Sequence, residues 1–193
     1  PLPLQDCYTG LNYIFDNTES LNLDAQKIAV LGISAGAGLA AGLTLLNRDQ
    51  SGNNLCGQVL LYPMLDDTNI LSAEGPDDNF IIWPRESNLF GWQSYLGKLF
   101  GAADVPSYAA AARSQNLAGL PKALVIVGDL DLFVQEDIRY ALGLINAGVP
   151  TSLHVYAGGC HSFDKFAPDS LPGERSAQEV EIFLSEIFSN PSL

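Results

Sequence analysis

Short apolar runs at 27–34, 57–65, 121–131 and 151–159 alternate along the chain with stretches of helical periodicity. That alternation constrains the fold more than any other feature. Runs such as "KIAVLGIS" and "GQVLLYPML" are almost free of polar residues, so both side-chain rows of each strand are suited to burial, as in a parallel sheet covered by helices. The intervening stretches supply the crossovers, which are right-handed in nearly all such units. Leu4, Cys7, Tyr8, Leu11, Ile14 and Phe15 recur at helical spacing and predict a helix over 4–17. Helices are also expected at 37–49, at 135–148 with Gly148 as its cap, and around Val180, Phe183, Leu184, Ile187 and Phe188. The expectation is one α/β domain over 1–193, built on a mainly parallel sheet of these strands.

Residues 66–120 break the rhythm. They carry Trp83 and Trp92 with Phe80, Phe90, Tyr95 and Phe100, and so long an insertion after a strand's carboxyl end reads as a lid or pocket wall. With 47% apolar and 16% charged residues, disorder is excluded. A formal net charge of -13 excludes the basic footprint that nucleic acid or an anionic membrane requires. No apolar run reaches the length of a membrane span. Cys7, Cys56 and Cys160 are odd in number and widely spaced, without a CxxC pair, which fits reduced thiols in a cytoplasmic protein and neither a disulfide framework nor a metal site.

The first strand runs directly into Gly32-Ile33-Ser34-Ala35-Gly36 and then a small-residue helix. A plain reading is a glycine-rich crossover that lets a helix pack closely on the sheet. The chemical reading is a G-x-S-x-G nucleophile elbow, in which a sharp strand-to-helix turn aims a serine outward past small neighbours. Such a serine needs a base. His154 alternates with Leu153 and Val155 inside a strand pattern and reads as structural, whereas His161, in "AGGCHSFD", follows the last strand. The carboxyl edge of an open parallel sheet is where ligands bind. The base in turn needs an acid to fix its tautomer. Asp131 stands at the end of the third strand and is the better placed, while Asp129 shares its side by the two-residue period and competes. Glu136 and Asp137 fall in the first turn of the next helix, where acidic groups favour the helix dipole. The order Ser34, Asp131, His161 is that of the α/β hydrolases.

Several segments carry a resemblance to one family. "KIAVLGISAGAGLAAGL", "LLYPMLDD", "GDLDLFVQEDIRYA", "HVYAGGCHSFD" and "WPRESNLFGWQSYLG" resemble the hormone-sensitive-lipase-like esterases and arylacetamide deacetylases of the α/β-hydrolase fold (fold-3), over essentially the whole chain. The resemblance implies Ser34 as nucleophile, His161 as base, Asp131 as acid, an acidic residue of the family on Glu136, and no cofactor. It implies hydrolysis of small-molecule carboxylic esters, with the Ala35 N–H donating to the oxyanion. Trp83, Phe90 and Trp92 of the aromatic insertion, with Ile33, are expected to line the substrate pocket.

Two departures stand out. Ile33 occupies the place where the family usually carries an acid, and no HGGG-type oxyanion loop precedes the elbow. Losing an oxyanion donor typically costs about 10²–10³ in rate. The family would also place further strands before residue 1, so the chain is expected to be the carboxyl-terminal portion of a longer hydrolase. A catalytically impaired relic or a non-catalytic binding protein on the same scaffold is the rival reading, and an amidase or lactonase would use the same triad.

Overall fold

A computed structural model describes residues 2–50, 52–69 and 82–189. Helix α1 (Leu2–Asp16) leads to strand β1 (Ala29–Ile33), helix α2 (Ala35–Asp49) and strand β2 (Gly57–Leu61). Helix α3 (Arg85–Leu96) precedes strand β3 (Ala123–Gly128), helix α4 (Val134–Asn146), strand β4 (Thr151–Tyr156), the short α5 (Phe163–Phe166) and α6 (Leu171–Ser189). The strands form one parallel sheet in the order β1-β2-β3-β4.

Alternation within the two central strands sorts their side chains between two cores. Leu60 and Val125 join Ala37, Ala41, Leu45, Tyr140 and Leu144 of α2 and α4 on one face. Val59, Leu61, Leu124 and Ile126 pack against Phe183 and Ile187 of α6 on the other. Both strands are buried throughout, as their unbroken apolar runs require. The helix expected over 4–17 lies one to two residues earlier, and its Leu4 and Leu11 pack on Leu43 of α2. β1 is an edge strand, and its Leu31 stays 50% exposed. Each strand is shorter than its apolar run: β2 and β4 lose residues only at the carboxyl end, where the chain turns into loops, and β1 and β3 lose them at both ends.

A third core lies beyond those carboxyl ends. Met64, Trp92, Leu96, Val105, Ala109, Leu132 and Phe133 bury one another, placing α3 over the loops that follow β2 and β3. A buried carboxylate ties this part down: Asp67 accepts from Arg113 Nε at 2.6 Å and from Arg113 Nη2 at 2.8 Å. Residues 70–81 of the expected insertion, Phe80 among them, lie outside the described residues. Among the described residues no helix is long and apolar enough to cross a membrane.

Candidate active site

Ser34 sits between β1 and α2 at φ 56° and ψ −123°, a backbone conformation that a non-glycine residue rarely adopts. Its N–H continues the ladder by donating to the Leu61 carbonyl at 2.9 Å. Close approach explains part of the glycine pattern around it. A Cβ on Gly32 would lie 2.3 Å from the Gly36 carbonyl oxygen, and one on Gly38 would lie 2.2 Å from the Met64 carbonyl oxygen. Gly36 differs from the elbow expectation, because a Cβ there would meet nothing within 4 Å. Crowding by the described residues therefore fixes the first glycine of the motif and not the second.

The carboxyl ends of β3 and β4 bring the other two groups to the serine. Asp131 follows β3 in a tight turn, with its Oδ1 accepting the Phe133 N–H at 3.0 Å. Its Oδ2 lies 2.8 Å from His161 Nδ1, and His161 Nε2 lies 2.9 Å from Ser34 Oγ. Asp131 and His161 are both buried. An acceptor at Nδ1 assigns the proton to that nitrogen and leaves Nε2 to accept from the serine hydroxyl. Asp129, the competing carboxylate, turns elsewhere and accepts the Gly158 N–H at 2.7 Å. His154 remains a strand residue in β4, 3.6 Å from Glu179 and stacked on Tyr156.

Aromatic rings wall the imidazole. Tyr62 and Phe133 meet it at steep angles with centroids at 4.9 Å and 5.3 Å, and Trp83 lies at 6.3 Å. A cavity of about 210 Å³ opens beside Ala35, lined among others by Leu39, Met64, Trp83, Trp92 and Tyr95. Two residues expected to line a pocket do not line this one. Phe90 is 71% exposed, on the side of α3 turned away from the core. Ile33, as a strand residue, packs into the α6-side core with Val59 and Leu61. A larger hollow of about 440 Å³ lies between Phe15, Gln26, Asn53 and Cys56, at the amino ends of β1 and β2 and away from these groups.

Glu136 and Asp137 do more than face a helix dipole. Glu136 is buried, and its Oε1 accepts the Leu65 N–H at 2.7 Å and the Asp66 N–H at 3.1 Å, while Oε2 accepts from Asn69 at 2.6 Å. Burial pushes its carboxyl well up from the usual range, and these donors oppose the shift. Asp137 is buried with neither oxygen partnered among the described residues. Burial, then the charges of Glu136 and Asp131, push its carboxyl well up too. Among the described residues no group of three or more His, Cys, Asp or Glu is placed to hold a metal ion, and the three cysteines are free thiols.

A parallel sheet whose carboxyl edge carries a hydrogen-bonded serine, histidine and aspartate has the layout of the α/β hydrolases. The chain belongs to that family, and the alpha/beta hydrolase fold profile matches residues 1–165. It is similar to the putative alpha/beta hydrolase R526 of Acanthamoeba polyphaga mimivirus, 28% identical over 188 residues that cover 97% of this chain and 54% of that protein. Esterase LipI of Mycobacterium tuberculosis is 31% identical over 156 residues, covering 80% of this chain and 48% of that protein. Among solved structures, a bacterial heroin esterase matches with a TM-score of 0.85 and 36% sequence identity, covering 98% of this chain and 59% of that one. The chain thus spans about half the length of the curated relatives it matches.

Proposed function

We propose that this chain carries the catalytic triad of a serine hydrolase that cleaves small carboxylic esters. The observation that carries the reading is the unbroken relay from Ser34 Oγ through His161 to Asp131, assembled from three separate strand ends. Ser34 Oγ attacks the ester carbonyl while His161 Nε2 takes its proton. Asp131 holds the imidazole in the required tautomer and stabilises the imidazolium. The Ala35 N–H, in the first turn of α2, donates to the developing oxyanion, favoured by the positive end of the helix. His161 then returns the proton to the leaving alcohol. Water enters by the same steps in reverse to release the acid and free the serine.

The cavity beside Ala35 receives one arm of the ester, with Trp83 and Trp92 as apolar walls. Its volume and lining support a short acyl or single-ring substituent. Trp83, Gly91, Trp92, Tyr95 and Ala109 of the insertion thereby serve as part of the pocket wall. The names of the relatives, which include esterases, support the same reaction class.

The test uses the full-length protein, a p-nitrophenyl ester and a fluorophosphonate probe. Ser34→Ala is expected to lower kcat/KM by at least about 10³-fold and to abolish labelling. Undiminished turnover by Ser34→Ala would overturn the mechanism.

A further inference from the structure

No triad member lies on the loop after β2, yet residues 62–66 contact all three segments that carry one. The Met64 N–H donates to the Ser34 carbonyl at 3.2 Å. The Leu65 and Asp66 N–H groups bond Glu136, five residues beyond Asp131. Tyr62 takes the histidine loop. Its hydroxyl donates to Asp164 Oδ1 at 2.7 Å, and its ring stands against the His161 imidazole with the planes 70° apart.

Tyr62 is an unusual place to find ordinary packing. It is fully buried, and its φ of 38° lies in the left-handed region that favours glycine. Such a conformation costs on the order of 1–3 kcal/mol and persists only where surroundings enforce it. The Tyr62 N–H donates to the Ile126 carbonyl at 2.6 Å, which fixes the turn to β3. Burial and the neighbouring Asp164 carboxylate push the phenol well up from its ordinary range, so it remains a donor at any working pH. The histidine loop needs such an anchor, since Ser162 itself sits at φ 60° and the α5 turn that follows has only four residues.

We propose that Tyr62 is a positioning residue for His161, acting through its hydrogen bond to Asp164 and its ring contact with the imidazole. The hydroxyl bond fixes the chain three residues after the histidine, and the ring blocks the rotation that would withdraw Nε2 from Ser34. The pair therefore sets how often the relay is aligned and leaves ester binding alone. This rests on the reading of Ser34, His161 and Asp131 as catalytic.

Four variants of the full-length protein test it: Tyr62→Phe, Asp164→Ala, Asp164→Asn and the double variant Tyr62→Phe/Asp164→Ala. Tyr62→Phe and Asp164→Ala should each lower kcat for a p-nitrophenyl ester about tenfold, short of the ~10² that a 1 Å misplacement can cost. KM should stay within about twofold, because the effect is on alignment and not on binding. The double variant should fall no further than either single, as members of one interaction are not additive. Asp164→Asn retains an acceptor for the phenol and should restore most of kcat. A second readout needs no turnover: in histidine-labelled protein the His161 Nδ1–H resonance should broaden in Tyr62→Phe and in Asp164→Ala and stay sharp in Asp164→Asn. Unchanged kcat in Tyr62→Phe at a lowered melting temperature would make the bond merely structural and overturn the proposal. So would losses that multiply in the double variant, or a loss confined to KM. Retained turnover by Ser34→Ala is a separate result, which removes the catalytic reading while the Nδ1–H comparison still decides whether Tyr62 holds the loop.

Discussion

The two glycines of the elbow should respond to alanine in opposite directions. At Gly32 the added methyl would lie 2.3 Å from the Gly36 carbonyl oxygen, 2.4 Å from the Ala37 Cα and 2.5 Å from the Ala37 nitrogen. Each of these is backbone in the first turn of α2, so no rotamer change relieves the clash. Reaching ordinary contact at 3.4 Å requires β1 and α2 to part by about 1 Å. Overpacking of this kind costs about 1–3 kcal/mol, and a backbone clash belongs at the upper end. At Gly36 the methyl enters open space, within a helix, where alanine is better than glycine by about 0.5 kcal/mol or more. The expected gap between the variants is thus about 3.5 kcal/mol. In urea, with a slope near 2 kcal/mol/M, the midpoints should differ by roughly 1.5–2 M, Gly32→Ala below the parent and Gly36→Ala at or above it. Equal midpoints for the two variants would refute the reasoning, because steric crowding would then not distinguish them.

The two buried carboxylates of α4 should also part company. Glu136→Ala strips the acceptor from the Leu65 and Asp66 amides and from Asn69, so unfolding measurements should show a loss of about 3 kcal/mol. Asp137→Asn should stabilise, because neither carboxyl oxygen has a partner to lose among the described residues. Its raised folded pKa means that the folded state holds the proton more tightly than the unfolded chain, whose value is about 3.9. Stability from that group is fully present below the unfolded value and is lost as pH rises toward the folded one. The advantage of Asp137→Asn should therefore be small at about pH 3.5 and larger at about pH 7, growing by up to about 1.4 kcal/mol per pH unit above the unfolded value until the folded carboxyl titrates. An advantage that did not change between those pH values would refute the assignment.

Positions fixed by a local pattern were the most legible in the sequence. The strands followed from unbroken apolar runs, because a strand buried on both faces has no polar row to show. The elbow serine and the histidine after β4 followed from their places at strand ends. Asp131 was preferred to Asp129 for its place at the strand's end, but a two-residue period puts both on one side and kept Asp129 in competition; in three dimensions Asp129 is taken by the Gly158 turn. What stayed hidden depends on distant partners. Glu136 serves Leu65 from 71 positions away, and Tyr62 serves Asp164 from 102, and no periodicity records such pairs. The residues expected to line a pocket divide for the same reason: Trp83 and Trp92 border the cavity beside Ala35, and Phe90 and Ile33 do not. Aromatic content marks Phe90 and Trp92 alike, and only the packing of α3 separates the exposed ring from the buried one. Ile33 adjoins the serine in sequence, yet strand alternation turns its side chain to the α6 face.

The strain at Ser34 explains why a serine in that place is free to act. A serine at the N-cap of a helix ordinarily gives its hydroxyl to the amides of the first turn, which stabilises the helix by about 1 kcal/mol. Ser34 occupies the N-cap of α2 and makes no such bond. Its positive φ turns the side chain off the cap and toward His161, 2.9 Å away. The conformation costs on the order of 1–3 kcal/mol, and the backbone around it supplies the restraint. The Ser34 N–H is bound to Leu61, and its carbonyl accepts from Ala37, Gly38 and Met64 at 3.0 Å, 3.1 Å and 3.2 Å. With both main-chain groups engaged on two neighbouring elements, the residue cannot relax to the β-region φ of an ordinary cap without breaking a sheet bond and a helix bond together. The first turn of α2 loses a side-chain acceptor by this arrangement. A cap side chain would bind the second or third amide of the helix, so under the proposed mechanism the Ala35 amide, the first of α2, is open to the oxyanion in any case, and the strain at Ser34 sets the nucleophile beside it.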